Sequence, residues 1–134
     1  MKVFIDSNIP MYVAGALHAN RAPARRFLDR VGNREIDACT STEVLQEILF
    51  RYAALDRIDL AREVYELFVE ICPIVLPVTL ADTDRARDLL VSAKGVSARN
   101  ALHAGFALNR DIEFIATFDT GFDNVPGVRR MKIS

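Results

Sequence analysis

The chain has 134 residues, 51% of them hydrophobic and 26% charged, a balance that fits one globular domain over residues 1–134 and excludes a disordered chain. Its longest apolar runs, CPIVLPV and EFIAT, fall far short of the ~20 residues a membrane helix requires. No export-signal pattern follows Met1, so a cytoplasmic protein is expected, and a formal charge of −1 leaves any nucleic-acid binding to local patches.

In chain order, KVFID reads as a short buried strand ending at Asp6, and SNIPMYVAGAL as a turn into a helix that tolerates Pro10 in its first turn. From Pro23 to Arg34 the residues Ala24, Phe27, Leu28 and Val31 recur at helical spacing, with Gly32 and Asn33 as stop signals. EIDACTS is a second strand. It leads into TEVLQEILFRYAAL, where Val44, Leu45, Ile48, Leu49 and Tyr52 form one apolar helical face. Ala61, Val64, Leu67, Phe68 and Ile71 predict a further helix over 60–71, ending before Pro73. IVLPV reads as an edge strand because of Pro77. LADTDRARDLLVSA is the next helix, and after the break at KGVS, Ser97 caps ARNALHAGFALNR. EFIATFD is a clear strand, and the tail VRRMKIS adds a short one at the sheet edge. Strands alternating with helices imply crossover units and a parallel sheet covered on both faces, an α/β fold. In such sheets the ligand site lies beyond the carboxyl ends of the strands, where strand order reverses.

Two acids stand in that place, Asp6 after the first strand and Asp119 after FIATF. Either alone could serve as a helix cap. Side by side at neighbouring strand ends they would repel each other and call for a cation or a proton. Glu43 and Glu47 lie one turn apart on the next helix, and either could reach the rim or remain a solvated residue. Asn100 sits in the first turn after Ser97, where a polar side chain can project toward the strand ends. Mg²⁺ and Mn²⁺ favour such oxygen-rich sites and are commonly held by one or two carboxylates plus a substrate phosphate. A divalent ion there would activate a bound water, and on a phosphodiester substrate in-line attack by that water would leave 5′-phosphate and 3′-hydroxyl ends.

The remaining polar residues read more plainly. His103, one turn beyond Asn100, reads as a helix residue that packs or hydrogen-bonds locally, and His18 has no evident partner. Arg26, Arg30 and Arg34, like Arg129 and Arg130, suit either RNA phosphates or ordinary ion pairs such as those with Asp29 or Glu35. Arg99, adjacent to Asn100, is the best placed of the cations. Cys39 and Cys72 lack CxxC spacing and read as buried, reduced thiols. Phe50, Tyr52, Tyr65 and Phe68 serve either an interface or the core. A phosphatase of the DxDxT kind fits poorly, since Asn8 stands where the second aspartate belongs.

VFIDSN, TSTEVLQEILFRY, VSARNALHAGFAL and IATFDTGFDNVPGVRR, in this order and spacing, resemble the PIN-domain ribonucleases, especially the VapC-type toxins of bacterial and archaeal toxin–antitoxin pairs. The resemblance spans nearly the whole chain. It implies a three-layer α/β/α fold with a central parallel sheet of about four or five strands. It also implies Mg²⁺- or Mn²⁺-dependent cleavage of single-stranded RNA, an antitoxin partner and a homodimer. By position, the family's first aspartate matches Asp6, followed by the polar residues Ser7 and Asn8. Its glutamate matches Glu47, with Glu43 the poorer match. Its late aspartate matches Asp119, preceded by Thr117, which would orient a carboxylate or the attacking water; Asp123 is an accessory candidate. Asp6, Asp119 and Asn100 would hold the metal. Asn100 departs from the pattern, which carries an aspartate there. An amide oxygen can ligate a hard cation but brings no negative charge and cannot act as a base, so weaker metal binding is expected. A weakened domain that binds RNA or an antitoxin without efficient cleavage is the alternative.

Overall fold

Val3–Ile5 forms β1, buried at every position, and hydrogen-bonds on both sides to parallel neighbours. The structure, a computed structural model, describes residues 2–134. After β1 come α1 (Asn8–Ala14), α2 (Arg21–Gly32), β2 (Ala38–Ser41), α3 (Thr42–Ala54) and α4 (Ile58–Ile71). Then follow β3 (Val75–Leu76), α5 (Leu80–Ser92), α6 (Ala98–Asn109), β4 (Phe114–Ala116), a 3₁₀ turn (Thr120–Asn124) and β5 (Arg129–Met131). Pro10 sits at the third helical position of α1, where its missing N–H has no intrahelical acceptor to lose. At the end of α2 the left-handed residue is Arg34, with φ 62°, rather than either expected stop residue; its N–H closes onto the Val31 carbonyl.

The five strands lie in the order β3-β2-β1-β4-β5, every neighbouring pair parallel. From β1 the chain steps outward to β2 and β3, then returns across β1 to β4 and β5. Right-handed crossovers therefore put α1–α4 on one face and α5 and α6 on the other, the three-layer arrangement the alternation predicted. The helix contacts agree, since α5 packs along α6 while α1, α2, α3 and α4 contact one another. Gly105 permits the close approach of α5, because a Cβ there would lie 2.9 Å from the Asp82 carbonyl oxygen.

The core is built on β1 and its neighbours. Phe4, Ile5, Ile48, Phe68, Phe106 and Ile115 are all fully buried. Cys39 and Cys72 are buried free thiols, and desolvation pushes each up to about 11. Tyr52 and Phe68 belong to this core, while Tyr65 is half-buried. Of the four aromatics weighed as interface residues, Phe50 alone stands out in solvent. The reversal of strand order falls between β1 and β4, so residues just beyond these strands face one shared crevice.

Candidate active site

Asp6 leaves β1 directly into that crevice and is fully buried. A buried carboxylate must be paired, and four neighbours do this. The Ser7 backbone N–H donates to its Oδ1 at 2.7 Å, and the Thr117 hydroxyl donates to its Oδ2 at 2.8 Å. Asn8 Nδ2 lies 3.3 Å from Oδ2. Arg99 Nη2 donates to Oδ1 at 2.7 Å. Thr117 follows β4 and its oxygen also accepts from Asn8 Nδ2 and from the Asp119 backbone N–H. One hydroxyl thus ties the ends of β1 and β4 together and fixes the Asp6 carboxylate.

Asp119 opens the 3₁₀ turn, its Oδ1 accepting from the Gly121 N–H at 2.8 Å. Its Oδ2 accepts from Asn100 Nδ2 at 3.0 Å. Ser97 caps α6 as expected, accepting from the Asn100 N–H, and this aims the Asn100 side chain at the crevice. The amide satisfies both sides at once, since its Oδ1 accepts from Arg99 Nη1 at 2.8 Å. Gly121 is required here: a Cβ would come within 2.8 Å of Asn100 Nδ2 and 3.0 Å of Asp119 Oδ1. Burial pushes the Asp119 carboxyl up, but hydrogen bonds from Asn100 and Gly121 and the nearby Arg99 and Arg130 outweigh it and hold it below the usual range.

The third carboxylate is Glu47 of α3. Its Oε1 lies 2.7 Å from His103 Nε2, and its Oε2 accepts from Arg99 Nε. Burial raises this carboxyl, and the His103 hydrogen bond with the His103 and Arg99 charges more than offset it, leaving it lowered. Glu43, one turn earlier, keeps to the rim. Its carboxyl is raised, first by desolvation and then by Glu47. Asp123 is exposed and paired with Arg130 at 2.8 Å. Arg30 and Arg129 are likewise engaged, with Glu35 and Glu113.

The sequence predicts that His103 packs or hydrogen-bonds locally, and the structure gives it a larger place. Its ring packs against Phe4, while Nε2 reaches Glu47 and lies 3.7 Å from Asp6 Oδ1. Nδ1, on the other side of the ring, has no hydrogen-bond partner among the described residues. The available signal was its position three residues after Asn100 on one helix face; its approach to Glu47, from a different helix, is a tertiary event.

The donor set suits a hard divalent ion. One ligand atom each from Asp6, Glu47 and His103 lie within 4.8 Å of one another, and Asp119 and the Asn100 amide oxygen border the same space. A guanidinium among these oxygens already shows that the space accepts a cation.

A family model described as PIN domain matches residues 3–128. Ribonuclease VapC13 of Mycobacterium tuberculosis is 37% identical over 129 residues, covering 96% of this chain and 98% of the relative. Among solved structures, VapBC2 from Rickettsia felis, bound to a DNA fragment from its promoter, superposes with a TM-score of 0.76 at 13% identity over 98% of both chains. Mycobacterium tuberculosis VapC20, described as a sarcin-ricin loop cleaving toxin, gives 0.73 at 18% identity over 90% of this chain and 92% of its own. A parallel sheet of this order, an acidic crevice at its switch point and a match along almost the whole length lead to one conclusion: the chain belongs to the PIN domain family, as a VapC-type member.

Proposed function

We propose that the chain is a metal-dependent endoribonuclease of a toxin–antitoxin pair, cutting single-stranded RNA at the crevice formed by Asp6, Glu47, Asn100 and Asp119. The observation that carries this reading is that three carboxylates, just after β1, on α3 and in the turn after β4, are all contacted by the one guanidinium of Arg99, with ligand atoms of Asp6, Glu47 and His103 within 4.8 Å of one another. Asp6, Asp119 and the Asn100 amide oxygen would hold Mg²⁺ or Mn²⁺, with Glu47 completing the acidic face. A bound ion supplies an activated water and a Lewis acid for the phosphoryl oxygens. The chain's own groups set the geometry: Thr117 and Ser7 fix Asp6, His103 fixes Glu47, and Asn100 fixes Asp119.

Two grooves beside the crevice suit an RNA strand. One is lined by Thr117, Phe118, Arg130 and Lys132, the other by Asn8, Tyr12, His18 and Arg51. Phe118 packs edge-on against Tyr12 at 5.2 Å, and Tyr12 meets His18 at 4.8 Å. Aromatic faces interleaved with cations are what unpaired bases and their phosphates bind. An apolar groove between α1, α2 and α4, lined by Val13, Leu28, Leu60, Leu67 and Ile71, suits an amphipathic segment of an antitoxin. A structural neighbour described as VapBC supports that partner. Exposed Leu49 and Phe50 on α3 suit a homodimer contact. We read the chain as one cytoplasmic domain; among the described residues no helix is long and apolar enough to cross a membrane.

Asn100 favours a second reading, a domain that binds RNA without efficient cleavage, because its amide brings no charge to the ion. Incubating single-stranded RNA and Mn²⁺ with the natural chain and with Asn100→Asp separates the two. Cleavage by both supports the enzyme, cleavage only after Asn100→Asp supports the weakened module, and cleavage by neither contradicts the nuclease reading.

A further inference from the structure

Arg99 is the cation already inside the acidic crevice. It stands at the second position of α6, between Ala98 and Asn100, and its guanidinium contacts every acid of the site. Nη2 donates to Asp6 Oδ1 at 2.7 Å and to Ser7 Oγ at 3.0 Å. Nε donates to Glu47. Nη1 donates to the Asn100 amide oxygen at 2.8 Å and lies 3.6 Å from Asp119 Oδ2. A surface arginine makes one such pair; here three carboxylates and an amide share one planar fork.

The arrangement also has an exit. The Arg99 side chain is 37% exposed, while Asp6 is fully buried and Glu47 is 14% exposed. The guanidinium therefore lies toward the solvent side of the crevice, held by its hydrogen bonds and ion pairs and joined to α6 only through the single bonds of its own flexible side chain. Rotation about these single bonds withdraws it without moving α6. Its charge is permanent, since arginine does not deprotonate in proteins, so it can leave only by displacement. A divalent ion needs the same oxygens that Arg99 now holds, and two cations on one set of ligands repel.

We propose that Arg99 is a displaceable counter-cation: it neutralises and gathers the three carboxylates in the metal-free chain, and a divalent ion binds by turning it out toward solvent. The proposal rests on the metal-site reading above and adds to it an internal competitor. The Asn100 amide then has a double use, because it holds Asp119 with Nδ2 and offers Oδ1 to whichever cation is present.

Calorimetric titration of Mn²⁺ into the natural chain, Arg99→Gln and the remote control Arg30→Gln tests this. Removing the competitor is expected to tighten Mn²⁺ binding by roughly 5- to 100-fold, with Arg30→Gln unchanged. The metal-free Arg99→Gln chain should melt at a lower temperature and gain more from Mn²⁺ than the natural chain. A second measurement needs no variant: in a proton–nitrogen spectrum the Arg99 Nε–H signal, bonded to Glu47 in metal-free protein, should shift and lose exchange protection on adding Mg²⁺. Equal or weaker Mn²⁺ binding by Arg99→Gln, or an Arg99 signal unmoved at saturating Mg²⁺, overturns the exchange while leaving the metal site standing. No Mn²⁺ binding by either chain overturns the metal reading and the exchange together.

Discussion

Asn100 shows how one side chain can matter through its two ends. Its Nδ2 donates to Asp119 and its Oδ1 accepts from Arg99, a pair of roles that a carboxylate cannot fill. Asn100→Asp would place a fourth carboxylate beside Asp119. In the metal-free chain this is expected to lower stability by about 1.5–3 kcal/mol, the value of a hydrogen bond to a charged group, measured by urea unfolding. With Mn²⁺ present the order should reverse, because the added charge strengthens the ion's hold. At this scale the sequence was partly legible. Asp6 and Asp119 stood at strand ends, and the Glu47 assignment came from a family likeness. The Glu47–His103 contact and the Arg99 fork join residues 56 and 52 positions apart, and no local pattern encodes them.

At the scale of elements, the strands and helices were readable because their apolar periods and caps act locally. Ser97 is the clearest example: a serine before a helical run predicted the cap, and the cap aims Asn100. The tail strand was also readable, and β5 pairs in parallel with β4 from Arg129 to Met131. What stayed hidden was the charged lock between α5 and α6. Asp82 is 1% exposed and accepts from Arg110 at 2.8 Å and from Asn109 at 2.9 Å, while its other oxygen accepts from the Thr79 N–H in a capping box. In sequence, Asp82 is one acid among several on a polar helix. Arg110→Met leaves this carboxylate buried with its cation gone, and the expected loss is about 3–5 kcal/mol, read from a denaturation midpoint. Because the lock lies behind α6, metal-dependent activity of the surviving folded fraction should be little changed.

For the whole molecule, the titrating groups define a pH window. Glu47, Asp82 and Asp119 are held below their ordinary values of 4.5 and 3.8. The stability they contribute is complete above those values and is lost as pH falls through the lower folded ones. Cys39 and Cys72 move the other way, from 9.0 to about 11, so their contribution is complete below 9.0 and lost as pH rises through about 11. Thermal melts should therefore show a plateau from about pH 5 to 9 with falls on both sides. Replacing Cys39 and Cys72 by alanine should flatten the alkaline fall and leave the acid one. The overall net charge of −1 gave no hint of the acidic crevice, because like charges gather at one place only when the chain folds.

In the function proposed above, Asp6 and its neighbours cut RNA with a divalent ion. Its most direct test is end-group analysis of a labelled single-stranded RNA incubated with the natural chain and with Asp6→Asn, each in chelator and then with Mn²⁺ restored. Cleavage is expected only in the natural chain with Mn²⁺, leaving 5′-phosphate and 3′-hydroxyl ends. Cleavage that persists in chelator or in Asp6→Asn, or products ending in a cyclic phosphate, would contradict it.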